Sequence, residues 1–386
     1  MNILAIETSC DETAIALIEA KNNKFRVIKD LVSSQIKIHA PFGGVVPNLA
    51  AREHLKNLPL MLKKLINKHK VTSRNIDLIA VTQGPGLIPA LLIGTNCAKA
   101  LSYVWKKPLI GVHHIAGHIY ANFIGAISNF QFPISKQIQN SELKFPILAL
   151  IVSGGHTQLI LMKKHLDFKI VGETLDDAAG EAFDKVARIL NLGYPGGPAV
   201  AAEAAKFPIS NFQFPNKSKF QNSNLKIDSK SKIQNSKFPL PRPMINSNNL
   251  NFSFSGLKTA VLYVVRDNPK ILKSQALKAA LCAEFQQAVI DVLANKTIKA
   301  AKKYHPETIV LGGGVSANKE LRKQLGKAIE KNIPNTKYRI PDTRYSLDNA
   351  VMIAIAGYFQ YKLAKNKKKF ENSWKHLETD AGLALK

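Results

Sequence analysis

Residues 3–18 read ILAIETSCDETAIALI, two apolar runs on either side of a turn that carries hydroxyl, thiol and carboxyl side chains. Apolar runs of this length around a short polar segment are typical of a β-hairpin. The composition of the turn therefore predicts a hairpin tip that could face a phosphate or a metal ion.

The same arrangement recurs at residues 147–161, which read ILALIVSGGHTQLIL. Between the two hairpins the patterns predict a helix over 45–69, a strand over 76–81, an apolar helix up to about Trp105 and a strand over 108–112. Strands that alternate with helices are typical of α/β layering. The repeat predicts two related lobes, each opening with a hairpin that could grip one side of a nucleotide.

Length and composition predict a folded protein with two lobes. A chain of 386 residues with 46% apolar and 21% charged residues can bury more than one core. Its cysteines, Cys10, Cys97 and Cys282, are far apart, which argues against a disulfide framework, a thiolate zinc site and secretion. No basic leader precedes the first strand, and the longest apolar stretches are shorter than the roughly 20 residues of a membrane span. We expect a soluble, cytoplasmic protein without membrane contact.

The charge of the chain favours polyanionic partners. Lysine and arginine total 54 against 27 acids, a formal net charge of +27. Such a charge attracts nucleic acid and makes its binding salt-dependent. However, 45 of the basic residues are lysine and only 9 are arginine, as A/T-biased codon usage would produce without any binding role. Charge alone leaves both interpretations open.

Two low-complexity segments interrupt the globular pattern. Residues 129–146 and 211–228 share NFQFP and QNS in the same register, and a third QNS follows at 234–236. Because they lack helical or strand periodicity, we interpret them as copies of one insert that form disordered surface loops, and we place the inserts at 127–146 and 206–250. The alternative is a grip for single-stranded nucleic acid. Its residues would be Lys217, Lys219, Lys226, Lys230 and Lys232 with Phe212, Phe214 and Phe220.

The motif HHIAGH at 113–118 predicts a metal site. His114 and His118 are four residues apart, so both imidazoles lie on one face of a helix, where they can share a metal ion. Ile115 stands where a metalloprotease would carry its glutamate base, which argues against protease chemistry. The alternative is a purely structural histidine pair. A third ligand must come from elsewhere, and a carboxylate is the natural partner of two imidazoles.

Three further motifs are compatible with a nucleotide. IVLGGGVSAN at 309–318 predicts a buried strand, a glycine turn and a helix whose N-terminus favours an anion, although it is not a P-loop. VSGGHT at 152–157 is a second glycine-rich tip. GETLDDAAGEAFDK at 172–185 contains five acids in a basic chain, which could recognise a ribose or a metal ion inside a cleft. The alternatives are a tight turn without ligand for the glycines and a solvated helix face for the acids.

The order of these motifs resembles that of the TsaD family, the transferase subunit of bacterial tRNA threonylcarbamoyladenosine synthesis. The resemblance covers nearly the whole chain apart from the inserts and the lysine-rich end. The motifs that carry it are IETSCDET at 6–13, HHIAGH at 113–118, SGGHTQL at 153–159, GETLDDAAGEAFDK at 172–185, YPGGP at 194–198, FSFSGLKT at 252–259, GGGVSAN at 312–318 and DNA at 348–350.

This resemblance implies an actin-like ATPase fold of the sugar kinase and heat-shock chaperone type, with two RNase H-like lobes around a nucleotide cleft. Lobe I would comprise residues 1–126, with residues 343–386 returning to it, and lobe II residues 147–342. The implied partners are tRNA, a smaller subunit of the same fold and a P-loop ATPase subunit.

The resemblance also implies a reaction, the transfer of a threonylcarbamoyl group from threonylcarbamoyl-AMP to tRNA with release of AMP. The acceptor would be the exocyclic amine of the adenosine 3′ of the anticodon in tRNAs that read ANN codons. Two other classes remain open: an actin-like ATPase or sugar kinase, which has no need of the histidine pair, and a non-catalytic scaffold subunit.

Site residues follow from the resemblance position by position. The implied metal ligands are His114, His118 and Asp348, which would hold Fe²⁺, with Zn²⁺ and Mg²⁺ as alternatives. The stretch from Ile151 to Gly155 would hold the phosphate and acyl part of the substrate. The residues of that stretch are Ile151, Val152, Ser153, Gly154 and Gly155, and the implied contacts to ribose and base are Asp184, Gly197 and Asn318.

Two further expectations concern single positions. Asp11 and Glu12, on the first hairpin tip, are candidates for orienting the incoming amine or accepting its proton. Ala201 occupies a position where many members of the family carry an aspartate, so one ribose contact is expected to be missing.

Overall fold

The apolar runs around the first polar turn form two strands of a five-stranded sheet in the order β3-β2-β1-β4-β5. The computed structural model describes residues 1–124, 143–207 and 238–385. The strands of this first sheet are β1 (Asn2–Glu7), β2 (Glu12–Lys21), β3 (Lys24–Ser34), β4 (Leu78–Gly84) and β5 (Leu109–His113).

A second sheet has the equivalent order, β10-β9-β6-β7-β8. Its strands are β6 (Ile147–Val152), β7 (Thr157–Lys164), β8 (Asp167–Glu173), β9 (Thr308–Gly312) and β10 (Lys337–Arg339). In each sheet three consecutive strands pair antiparallel, and the first of them pairs in parallel with a later strand, β4 or β9. The predicted duplication and α/β class are confirmed, and each predicted hairpin continues into a third, outer strand.

The helices that were predicted from the sequence fall close to their predicted positions. The first long helix begins at Pro47, whose fixed φ angle and missing N–H suit the first turn, and ends at His69. No described helix combines the length and the apolar character that a membrane crossing requires. The helices are α1 (Ile36–His39), α2 (Pro47–His69), α3 (Ile88–Trp105), α4 (His114–Tyr120), α5 (Ala179–Ile189), α6 (Gly196–Ala204), α7 (Ser255–Asp267), α8 (Gln275–Tyr304), α9 (Lys319–Asn332), α10 (Ala350–Leu363) and α11 (Ser373–His376).

Helices α4 and α10 belong to a hydrophobic core that contains residues of both sheets. Every residue of α10 from Ala350 to Phe359 is buried, as expected for a helix that is apolar on all sides. A Cβ atom on Gly117 would lie 2.9 Å from Cδ1 of Ile353, so this glycine allows α4 and α10 to approach closely. The contact brings the histidines of α4 next to the residues that precede α10.

Most of the two predicted inserts, residues 127–142 and 208–237, lies outside the described residues, as do the lysines and phenylalanines proposed as a nucleic-acid grip. The described end of the second insert is packed: Phe238, Leu240 and Leu250 are buried in the core of the second sheet. Residues 238–250 are therefore part of the folded structure and not of a surface insert, because their apolar side chains pack into this core. The lobe boundaries stay predictions.

An aromatic cluster connects the second sheet to α10. The imidazole of His165, between β7 and β8, stacks on Phe359 with ring centroids 3.9 Å apart. Its Nδ1 lies 3.2 Å from the hydroxyl of Tyr120. Burial lowers the pKa of His165 to about 4, and the charge of Lys362 acts in the same direction.

The histidine should make stability depend on pH. Because its pKa is lower in the folded state than in the unfolded state, the unfolded state binds more protons between about pH 4 and 6.5, and the free energy of unfolding rises with pH in this window. We expect His165→Phe, which keeps a stacking ring, to make this rise shallower. Urea denaturation of both proteins across the window measures the two slopes, and equal slopes would contradict the prediction.

Candidate active site

A cleft of about 1370 Å³ is lined by both hairpin tips. The first tip contributes residues 9–12 and the second contributes residues 153–156, together with the glycine turn after β9 and the N-terminal part of α6. The predicted site residues that line this cleft are Asp11, Glu12, His114, Ser153, Gly154, Gly155, Asp184, Gly197, Asn318 and Asp348. Residues predicted from distant parts of the sequence thus meet in one cavity.

His114, His118 and Asp348 lie together beside this cleft, with one ligand atom from each within 4.8 Å of the others. The Oδ1 atom of Asp348 is 3.5 Å from Nε2 of His114 and 3.2 Å from Nε2 of His118. The i, i+4 spacing on α4 aligns the two imidazoles, and Asp348 comes directly before Asn349, which caps α10.

The donor set of this group fits a divalent metal ion. His118 is buried, and within the described residues neither of its ring nitrogens makes a hydrogen bond of acceptable geometry, although Nε2 lies 3.2 Å from Oδ1 of Asp348. Leaving a buried nitrogen unpaired costs about 1–3 kcal/mol, a cost that coordination to a metal would remove. Two imidazoles and one carboxylate, with further positions open towards a cleft, are a common ligand set for such ions.

Electrostatics at this group favour a positive charge. Burial acts to lower the pKa of His114, but Asp348 and Glu7 outweigh it and raise the pKa to about 9. Burial acts to raise the pKa of Asp348, but the charges of His114 and His118 lower it to about 2. The two carboxylates therefore stabilise positive charge at this group, carried by a proton or by a metal ion that replaces it.

The first tip is held by buried polar groups behind it. His54 Nε2 lies 2.9 Å from the carbonyl oxygen of Cys10, and the backbone N–H of Gln35 donates to the carbonyl of Asp11. Burial and the charges of Asp348 and Asp11 raise the pKa of Glu12 well above its usual range. A carboxyl group with this environment holds a proton readily, and a nearby cation would favour its ionised form.

The second tip presents open space to the cleft. A Cβ atom on Gly154 or Gly155 would meet no described atom within 4 Å, whereas one on Gly180 would lie 2.5 Å from the carbonyl oxygen of Ser153. Gly180 therefore lets α5 approach the tip. Ile151 and Val152 are completely buried in β6 and are not among the residues that line the cleft. Their side chains do not reach the cavity, because the strand directs them into the core.

The remaining predicted residues, Asp184, Gly197 and Asn318, also line the cleft. Asp184 Oδ1 accepts a hydrogen bond from the backbone N–H of Gly196 at 2.7 Å, and burial raises the pKa of Asp184. Asn318 caps α9, since its Oδ1 accepts from the N–H of Leu321. Its Nδ2 donates to Gln286 at 2.8 Å. The side chain of Asn318 is thus oriented by the protein itself.

A sequence model of one family, TsaD: tRNA N6-adenosine threonylcarbamoyltransferase, matches residues 26–355. The chain belongs to the TsaD family. A relative from Thermosipho africanus (strain TCF52B) is 48% identical over 362 residues, which cover 94% of this chain and 95% of the relative. Another, from Staphylococcus saprophyticus, is 41% identical over 379 residues, which cover 98% and 96%. Both are named tRNA N6-adenosine threonylcarbamoyltransferase.

Among solved structures, HypF from T. kodakarensis superposes with a TM-score of 0.57 at 13% sequence identity, over 96% of this chain and 49% of that chain. At this identity the similarity concerns the fold alone. Together with the two equivalent sheets and the TsaD family match, it confirms the expected actin-like fold.

Two residues of this TsaD family member, Glu7 and His156, lie at the site although the sequence did not predict them as site residues. Glu7 ends β1, is completely buried and lies 3.1 Å from Nδ1 of His114. An acid at the end of an apolar strand signals a buried partner, but not which one. His156 lines the cleft, and burial together with the charges of His114 and His118 lowers its pKa to about 4. It therefore faces the cleft as a neutral imidazole.

Proposed function

We propose that the protein transfers the threonylcarbamoyl group of threonylcarbamoyl-AMP to the exocyclic amine of the adenosine 3′ of the anticodon in tRNAs that read ANN codons, releasing AMP. The observation that carries the proposal is that His114, His118 and Asp348 form one group beside a cleft lined by both hairpin tips, in a TsaD family chain. The alternative activities, a kinase and a scaffold, do not require this ligand group.

The reaction is an acyl transfer in which one bond replaces another. The amine nitrogen bonds to the carbamoyl carbon, the bond from that carbon to the phosphate oxygen breaks, AMP leaves with the bonding electrons, and the amine loses a proton. An adenine amine is a weak nucleophile, so the site must stabilise negative charge on the carbamoyl oxygen in the transition state. Groups that favour the transition state in this way accelerate the step.

His114, His118 and Asp348 would hold the metal ion, which supplies Lewis-acid polarisation of the substrate when bound. We propose Fe²⁺, with Zn²⁺ and Mg²⁺ as alternatives. Imidazole ligands suit Fe²⁺ and Zn²⁺, whereas Mg²⁺ prefers a shell of oxygen atoms.

The second tip, together with Asp184, Gly197 and Asn318, would bind the donor substrate. Gly154 and Gly155 leave space for the phosphate and acyl part, and the backbone of residues 151–155 would follow that part of the substrate. Asp184, Gly197 and Asn318 line the region proposed for the ribose and base. Ala201 also lines the cleft and has no polar side-chain atom, which agrees with a missing ribose contact.

The net charge of +27 supports tRNA as the acceptor. By analogy with the family, we propose that a smaller subunit of the same fold and a P-loop ATPase subunit assist the reaction in the cytoplasm. Residues 1–126 with 343–386 would form one lobe and residues 147–342 the other.

Asp11 and Glu12 would orient the amine and accept its proton. We expect Asp11→Ala or Glu12→Ala to slow transfer by about 10²-fold, as for loss of a general base, with binding of threonylcarbamoyl-AMP nearly unchanged. Single-turnover rates and calorimetric titration separate the two effects. Glu19→Ala, at a half-exposed acid on the same strand β2, is the matched control and should behave as wild type. Wild-type transfer rates in both variants would rule out these roles.

The proposed function is tested with purified protein, preformed threonylcarbamoyl-AMP and unmodified ANN-reading tRNA, with and without the partner subunits. Nucleoside mass spectrometry detects threonylcarbamoyladenosine. We expect product from the wild type and none from the His114→Ala/His118→Ala variant. Absence of product with the partners present would refute the proposal, and ATP turnover would then discriminate an ATPase from a scaffold.

A further inference from the structure

Glu7 is a completely buried carboxylate whose two oxygens are both occupied. Oε1 accepts a hydrogen bond from the backbone N–H of Ser9, and Oε2 accepts one from the hydroxyl of Thr82. The same Oε2 lies 3.1 Å from Nδ1 of His114. The carboxylate therefore connects β1 and β4 of the first sheet to the first residue of α4.

The geometry at His114 separates the roles of its two ring nitrogens. Nδ1 faces Glu7, and Ser9 Oγ lies near it at 3.2 Å. Nε2 lies 3.5 Å from Oδ1 of Asp348, and the ring of His114 lies beside that of His118 with ring centroids 4.7 Å apart. A carboxylate accepts only, so Nδ1 must carry the proton that it donates to Glu7, and the lone pair of the neutral ring is then on Nε2.

We propose that Glu7 is a positioning residue of the metal site, which fixes the ring of His114 with its Nε2 lone pair directed at the metal. Carboxylates behind a ligating histidine orient the ring and make it a stronger ligand, and their loss weakens metal binding by about 10–100-fold. Glu7 would lie outside the ligand set of a bound metal ion, because its Oε2 is near Nδ1 of His114, whereas Asp348 is near Nε2.

The inference rests on the metal site within the proposed function, not on the transfer reaction. A Glu7 variant that binds Zn²⁺ more weakly than wild type would support the inference, whatever the transferase activity of that variant. If the wild type showed no transferase activity, its Zn²⁺ affinity could still be measured separately. Failure of the two proposals is therefore distinguishable.

Glu7→Gln is the sharpest variant because it keeps the size of the side chain. If the amide oxygen accepts from Ser9, the amide NH₂ faces Nδ1 of His114 and favours the ring with its proton on Nε2, where it blocks coordination. If the amide is turned the other way, its NH₂ opposes the N–H of Ser9. In either orientation the glutamine side chain no longer accepts hydrogen bonds both from the N–H of Ser9 and from Nδ1 of His114, as Glu7 does.

The experiment measures the affinity of the full chain, stripped of metal, for Zn²⁺ by competition with a chromogenic chelator. We expect Glu7→Gln to bind Zn²⁺ about 10–100-fold more weakly than wild type. The matched control is Glu284→Gln, another buried carboxylate, which pairs with Arg242 and not with a member of the metal group. Its Zn²⁺ affinity should stay within about twofold of wild type.

A second comparison separates positioning from general support of the fold. In a His114→Ala background the ring that Glu7 orients is absent, so adding Glu7→Gln should not weaken Zn²⁺ binding further. Equal Zn²⁺ affinity of folded Glu7→Gln and wild type would overturn the proposal, as would equal losses with and without His114. If Glu7→Gln does not fold, Glu7→Asp keeps the charge but withdraws it from Nδ1, and unchanged affinity in that variant would likewise overturn the proposal.

Discussion

Replacing Asp348 by alanine is expected to lower the rate of threonylcarbamoyl transfer by about 10³-fold. The carboxylate lies between the Nε2 atoms of His114 and His118 and supplies the one negatively charged ligand of the group. A Lewis acid contributes several kcal/mol to the stabilisation of a transition state, which corresponds to a rate factor of this size. Metal content per chain, measured by mass spectrometry, should fall together with the rate.

The control for Asp348→Ala is Asp342→Asn in the same connecting segment. Asp342 caps the short turn at residues 343–345 through an oxygen that asparagine retains, so both rate and metal content should stay near the wild-type values. An Asp348→Ala protein that keeps its metal and its transfer rate would show that this carboxylate is not a ligand.

Gly313→Ala is expected to reduce the free energy of unfolding by about 3 kcal/mol. Gly313 has a φ angle of 84°, which residues with a Cβ rarely adopt, and a Cβ there would lie 2.4 Å from the carbonyl oxygen of Val152. The backbone conformation costs roughly 1–2 kcal/mol and the forced displacement of β6 adds a similar amount. Urea denaturation measures the loss.

The neighbouring glycine gives the comparison for this substitution. A Cβ on Gly314 would have its nearest contact at 3.5 Å, with Cδ2 of Leu347, an ordinary packing distance. We expect Gly314→Ala to change the free energy of unfolding by less than about 1 kcal/mol. Similar losses in the two variants would show that the contact with Val152 is not the cause.

The strand pattern was sufficient to predict the duplicated core. Both hairpins have continuous apolar strands because β1 and β6 lie inside their sheets and are covered on both faces. The third strand of each meander, β3 or β8, was not predicted. Both are half-exposed edge strands with polar and charged residues at many positions, so they lack the apolar run that marks an inner strand.

The site was only partly predictable from local sequence. The spacing of His114 and His118 predicts a shared face, because helical geometry is local. The chemistry of two imidazole ligands predicts a carboxylate as the third ligand, but without the resemblance its position in the sequence could not be identified. The reason is that the packing of α4 against α10 brings this carboxylate close to the histidines. Glu7 could not be predicted as a site residue for the same reason, because its partner His114 lies 107 positions further along the chain.

The separation of the metal ligands along the chain has a mechanical consequence. His118 and Asp348 are 230 positions apart (348 − 118), yet they lie 3.2 Å from each other. An ion held by both would act as a reversible cross-link that closes most of the chain into a loop, and closing so long a loop removes much of the freedom of the unfolded chain. Folding and metal supply are then linked, because an ion that binds only the folded state stabilises it in proportion to the logarithm of its free concentration.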